Sequence, residues 1–277
     1  MTERPDVSVV TVTHEHAGFI VACLEALAAR RSEVALEVIV VDNASIDGTA
    51  ALVRARFHLV RLIEGGRRRW YAANNNLAFR VAHGRHVLAL NPDTEVRAGA
   101  LRELVSYMDA NPDVGLCGPR LVYPDGRLQP SCRRFPNLAS VIARRTPVRR
   151  WLGESRVNRR HLMEDFDHTE THDVDWMLGA CLLARGELLR TVGLMDEGYY
   201  LYVEDIDWAW RAHQAGWRVV YLPAAEVVHH HLAKSDHELL SRPSWLHAKS
   251  MLRFYRKHLA PAPLRLAVRP ETLPREE

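Results

Sequence analysis

The chain has 277 residues, of which 47% are hydrophobic and 26% charged, with a formal net charge of +3; this suits one large globular unit with an appendage and excludes extensive disorder, a collagen-like repeat and a disulfide scaffold. No run of 18 apolar residues occurs and residues 1–6 are charged, so neither a membrane-spanning helix nor a signal peptide is expected, and a cytoplasmic location follows. Cys23, Cys117, Cys132 and Cys181 form no C-x-x-C pair and read as reduced structural thiols rather than zinc ligands or disulfides.

In chain order, residues 7–12 form a β-branched apolar run that predicts a strand. A helix over 17–30 follows, with Ile20, Leu24 and Leu27 on one buried stripe. The unit recurs as a strand over 37–41 ending at Asp42-Asn43, a turn at Asp47-Gly48 and a helix over 49–57. Strands are predicted over 58–63 and 86–90, with a helix over 72–83 between them. A helix over 98–111, a strand over 114–117 and the turn Pro124-Asp125-Gly126 come next. Alternation of this kind predicts an α/β, Rossmann-like, mostly parallel sheet flanked by helices.

Residues 133–175 read as an excursion that leaves the sheet: 133–160 hold nine arginines against Glu154 alone, and 161–175 hold six acids and no Lys or Arg. Order returns over 174–184, followed by helices over 186–192 and 204–215, the stop residue Gly216, and a strand over 217–222 leading to His229-His230-His231. Residues 249–269 carry six Lys or Arg and no acid among spaced apolar residues, the pattern of a basic amphipathic helical extension. The boundaries read are 1–232 for the main domain, with halves at about 1–125 and 126–232, and 233–277 for the extension.

In open sheets of this class ligands bind beyond the carboxyl ends of the strands, where Thr13, Asp42 and Asp93 stand. Asp93 could hold a divalent cation, although Asn-Pro-Asp-Thr also reads as an ordinary turn and cap. Glu204, Asp205 and Asp207 open a helix whose dipole keeps a carboxylate ionised, making Asp205 a candidate base; acids there also simply stabilise a helix start. Tyr199, Tyr200 and Tyr202 could form a wall against a sugar face, or core. His229 could join Asp93 on a cation, or lie in a surface loop. No G-x-G-x-x-G, P-loop or G-x-S-x-G pattern occurs.

Taken in order, 9–13 (Val-Val-Thr-Val-Thr), 38–48 (Val-Ile-Val-Val-Asp-Asn-Ala-Ser-Ile-Asp-Gly), 90–94 (Leu-Asn-Pro-Asp-Thr), 174–180 (Val-Asp-Trp-Met-Leu-Gly-Ala), Asp196-Glu197, 202–207 (Tyr-Val-Glu-Asp-Ile-Asp) and 227–229 (Val-Val-His) resemble a family 2 glycosyltransferase of the GT-A fold, in the rhamnosyltransferase-like branch. The resemblance implies transfer of a sugar from a nucleoside diphosphate donor, most simply L-rhamnose from dTDP-L-rhamnose, to a glycan, lipid-linked or small-molecule acceptor in bacterial polysaccharide biosynthesis. Thr13, Asp42, Asn75 and Asp93 would serve the donor. Asp93 and His229 would hold Mg²⁺ or Mn²⁺, and Asp205 would deprotonate the acceptor hydroxyl. Trp176, Gly179, Ala180 and Glu204 would form the acceptor side. One base facing a leaving group held by metal implies a single displacement with inversion.

The chain departs from the family pattern at Trp70-Tyr71-Ala72, preceded by Arg67-Arg68-Arg69, and at His14-Glu15. The alternatives are a nucleotidyltransferase on a related sheet, which would want a Gly-rich phosphate loop, and a non-catalytic binder of anionic polymer or membrane built on the basic segments. As an accessory to catalysis, those segments would hold a lipid-linked acceptor or the inner face of the plasma membrane. No nucleic acid partner is expected.

Overall fold

The structure, a computed structural model, describes residues 4–136, 156–200, 202–231, 242–261, 265–266, 268 and 270–274. Most of the arginine-rich stretch before residue 156 therefore lies outside the described residues. The strands are β1 Val7–Thr13, β2 Leu36–Asp42, β3 Arg61–Glu64, β4 His86–Leu90, β5 Thr94–Val96, β6 Val114–Val122, β7 Leu128–Gln129, β8 Cys132–Arg133, β9 His172–Asp173, β10 Trp176–Met177, β11 Cys181–Arg185 and β12 Arg218–His229. The helices are α1 Ala17–Ala28, α2 Thr49–Arg56, α3 Tyr71–Phe79, α4 Ala100–Ala110, α5 Arg156–His161, α6 Gly186–Thr191, α7 Glu204–Gln214 and α8 Arg242–Phe254, the last continued by a π-helical turn, Tyr255–Leu259.

The main sheet runs β3-β2-β1-β4-β11-β6-β12-β5. β3, β2, β1 and β4 are parallel, as are β6 and β12, while β11 lies antiparallel between β4 and β6. Alternate residues of each strand feed two cores. Val9, Val38, Leu88 and Leu183 pack beneath α1, α2 and α4, whereas Val10, Ile39, Val87 and Leu182 pack against α3, α6 and α7. Burial on both faces is why these strands read as unbroken apolar runs. All four cysteines are buried and free.

Several elements differ from the sequence reading. β3 starts at Arg61 rather than 58, because residues 57–60 close a turn through Val60 N–H to Phe57 O. α3 stops at Phe79, and Gly84 then passes so close to β1 that a Cβ there would lie 2.4 Å from Ser8 N. β6 runs on past Pro119 to Val122, and β12 past Pro223 to His229, with a register irregularity between Leu222 and Glu226; a proline at a bulge leaves the ladder intact on either side. Pro92-Asp93 form a turn, as one of the two readings had it, but the strand β5 follows at Thr94 and the next helix is capped by Gly99 rather than by Asp93. The excursion after residue 133 returns to the sheet, since β9 pairs antiparallel with β12.

The C-terminal basic residues also divide. Lys257 is buried and Phe254 joins the core beside α7, so the extension is stitched to the main body rather than lying on it as a solvated tail.

Candidate active site

β5 explains how two distant residues meet. It pairs antiparallel with β12, placing His229 opposite Thr94, so the imidazole comes alongside Asp93 at the head of β5. His229 Nε2 lies 3.5 Å from Asp93 Oδ1, and both side chains are buried. Nδ1 lies 2.8 Å from Gln129 Oε1, an acceptor to which it donates, so Nε2 is the ring nitrogen that faces the carboxylate. A ring nitrogen oriented in this way beside an anionic oxygen suits a divalent cation that accepts mixed N/O ligands, with its other positions left to water and phosphate oxygens. Among the described residues no third His, Cys, Asp or Glu joins the pair. Gln129, on the two-residue strand β7, carried no signal in the sequence.

Asp205 sits in the first turn of α7 and is only partly covered. Its Oδ2 accepts the Gly179 N–H at 3.1 Å, and its Oδ1 accepts the Ile206 N–H at 2.8 Å. Burial pushes its carboxyl above the usual carboxylate range, opposed by those two amides and by the nearby charge of Arg133. Glu204 is raised as well, by burial and then by the negative charge on Asp205. Two acids crowded in this way hold their last proton more tightly than free carboxylates, and the exposed one becomes the better base.

Asp205 and the Asp93–His229 pair are joined by a short chain of contacts. Gly179 bonds Asp205, and the neighbouring Ala180 carbonyl accepts the Asn91 N–H at 2.8 Å, two residues ahead of Asp93. Tyr71 donates its hydroxyl to Gly179 O at 3.1 Å, and burial together with the charge on Glu204 raises its pKa. Tyr71 was not among the residues singled out for a role, though its place in the departing Trp-Tyr-Ala segment was the available signal.

On the donor side, β1 and β2 end in register at Thr13 and Asp42. Asp42 Oδ2 accepts the Ser45 N–H at 3.0 Å, while its buried Oδ1 has no partner among the described residues. Asn43 bonds both the N–H and the carbonyl of Arg69, at 2.7 and 3.0 Å, so the arginine run is pinned beside Asp42. Asn75 is fully buried in α3, with its amide on Tyr71 O and its side-chain oxygen without a partner. A buried acceptor left unpaired is costly unless a ligand donor meets it.

Of the acceptor-side residues, Gly179 and Glu204 border Asp205. Ala180 is buried behind them, and Trp176 lies in the core with its indole N–H on Arg134 O at 3.1 Å.

Comparison with known proteins was made against this geometry. The family model described as glycosyl transferase family 2 matches residues 8–166. The chain is 30% identical over 256 residues to the N-acetylglucosaminyl-diphospho-decaprenol L-rhamnosyltransferase of Mycobacterium tuberculosis, covering 86% of this chain and 81% of the relative. It is 29% identical to the rhamnosyltransferase WbbL of Escherichia coli, covering 90% and 92%. Among solved structures it resembles GalNAc-T7 with UDP, GalNAc and Mn²⁺ at a TM-score of 0.60 and 16% identity, over 83% of this chain and 44% of that longer one. The structural likeness carries the fold, which is GT-A.

Proposed function

The chain belongs to glycosyl transferase family 2, and on that footing we propose that it moves L-rhamnose from dTDP-L-rhamnose, with inversion, onto a hydroxyl of a lipid-linked saccharide. The observation that supports the reading is the run of hydrogen bonds linking Asp205 through Gly179 and Ala180 to the loop that holds Asp93, itself beside His229. The two relatives, whose names specify L-rhamnosyl transfer and rhamnosyl transfer, support the donor.

Thr13, Asp42 and Asn75 bind the nucleoside, the unpaired Asp42 oxygen accepting from a ring N–H or ribose hydroxyl. Asp93 and His229 would hold Mg²⁺ or Mn²⁺, which when bound neutralises charge developing on the departing diphosphate. Asp205 removes the proton from the acceptor hydroxyl. Glu204, Gly179 and Ala180, with Trp176 behind them, form the acceptor side.

Among the described residues no helix is long and apolar enough to cross a membrane. Leu252, Tyr255 and Leu259 nonetheless form an exposed apolar patch at the end of α8 and on the turn that continues it, beside Arg256. This supports peripheral attachment at the cytoplasmic membrane face, where a lipid-linked acceptor would be met.

Thermal shift against a panel of sugar nucleotides with Mn²⁺ tests the donor. dTDP-L-rhamnose is expected to stabilise most. Stabilisation by UDP- or GDP-sugars alone would overturn the donor, and no response to any sugar nucleotide would overturn the transferase reading.

A further inference from the structure

Four large rings are left uncovered by the fold around the loop that leads into α7. Trp70 is 39% exposed, Tyr200 37%, Tyr202 47% and Trp245 59%. They come from three separate segments: the N-cap of α3, the loop leading into α7, and α8. Trp70 and Tyr200 meet edge to face at 5.5 Å, and Tyr202 meets His247 of α8 at 5.8 Å. Lys249 Nζ sits 3.6 Å above the Trp245 ring and 5.9 Å from that of Tyr200. Among the described residues no carboxylate pairs with Lys249. Large rings exposed together mark a binding surface rather than ordinary surface scatter.

The face is built and joined to the base. Tyr200 N–H donates to the buried Ser250 Oγ at 3.0 Å, fixing α8 to the loop, and Tyr202 takes a left-handed backbone at φ 62°, an uncommon conformation for a residue with a side chain. Tyr202 lies three residues ahead of Asp205. Trp70 precedes Tyr71, whose hydroxyl holds the Gly179 that bonds Asp205. Two of the four rings thus sit on segments that also carry Asp205 or hold its partner Gly179.

We propose that Trp70, Tyr200, Tyr202 and Trp245, with Lys249 among them, form the acceptor subsite for a saccharide bearing a phosphate or diphosphate at its reducing end. The inference rests on the glycosyl-transfer reading and adds the recognition element. Aromatic faces take the C–H face of a sugar ring, and Lys249, with no carboxylate partner among the described residues, takes the phosphate as a point charge. Trp70 belongs to the segment at which the chain departs from the family pattern. An anionic lipid headgroup offers similar phosphate chemistry, but it would not account for rings gathered beside the base.

The test is tryptophan fluorescence of the full chain titrated with N-acetylglucosamine 1-diphosphate carrying a short water-soluble alkyl chain, with the methyl glycoside of the same sugar and phosphatidylglycerol vesicles as separate arms. Saturable quenching is expected with the diphosphate, at least tenfold weaker for the methyl glycoside and for Lys249→Ala and Trp245→Ala, and partly restored in Lys249→Arg. Affinity for the nucleotide sugar, measured separately, should be the same in all variants. Unchanged diphosphate affinity in Lys249→Ala and Trp245→Ala overturns the subsite, as does quenching by vesicles alone. Loss of nucleotide-sugar binding in the wild type would instead overturn the transferase reading, because the platform titration contains no nucleotide.

Discussion

In the proposed role of base, Asp205 must be reachable by an acceptor and basic enough to take its proton, and its partial exposure and raised carboxyl support both. It is partly exposed where Glu204 is buried, and burial raises its carboxyl while the Gly179 and Ile206 amides keep the ionised form populated. The sign of the pH dependence follows. The carboxylate is the working form, so turnover should rise with pH through an acid limb lying above the ordinary carboxylate value of about 4. Glu204 sharpens this, because the charge on Asp205 raises it further and the pair keeps a proton longer than either acid alone. Asp205→Asn is expected to lower turnover by about 10²–10⁴-fold, remove the acid limb and leave nucleotide-sugar affinity nearly intact. Steady-state rates across pH together with calorimetric donor titration check this, and near-normal turnover would dismiss Asp205 as the base.

Between elements, what decides the site is the pairing of β5 with β12. The central strands were legible in the sequence because burial on both faces writes itself as apolar runs such as those of β1 and β2. β5 was not, since Asn91-Pro92-Asp93-Thr94 is spelled in turn-forming residues and only tertiary pairing makes a strand of its end. β12 was read as ending at Leu222, because Pro223 looks like a terminator until a bulge accommodates it. Asp93, Asp205 and His229 were nonetheless found as candidates, whereas Gln129 was not: its role depends on β7 folding back along β6, which two residues cannot announce. Gln129→Leu removes the acceptor that orients His229 and should weaken Mn²⁺-dependent donor binding by about 10–100-fold without loss of fold. Donor titration with and without Mn²⁺ measures this, and an unchanged metal dependence would remove Gln129 from the site.

For the molecule as a whole, the C-terminal segment determines how firmly the helix bearing the base is held. Asp207, two residues beyond Asp205, is fully buried and accepts bonds from Tyr199 Oη, Lys257 Nζ, His258 Nε2 and Arg211 Nε at 2.7–2.8 Å. Lys257 and Arg253 also pair with Asp196, at 2.8 and 2.9 Å, and Gly198 admits Arg253 where a Cβ would lie 2.2 Å from its guanidinium carbon. Burial alone would raise the Asp207 carboxyl, but the His258 hydrogen bond and the charges of Arg211 and Lys257 outweigh it and hold it well below the carboxylate range. A depressed native value adds stability that is present above the unfolded value of about 3.9 and is lost as pH falls toward the native one. Lys257→Met withdraws the cation shared by Asp196 and Asp207, leaving buried charge poorly paired at a cost of about 3–5 kcal/mol. Melting at pH 7 should drop on the order of 10 °C, and the variant should lose less than the wild type on acidification to about pH 2, well below the unfolded value, because less of its stability rests on that carboxylate staying ionised. Urea denaturation at the two pH values measures both effects. A variant as stable as the wild type at pH 7 would mean that the segment rests on the catalytic helix without clamping it.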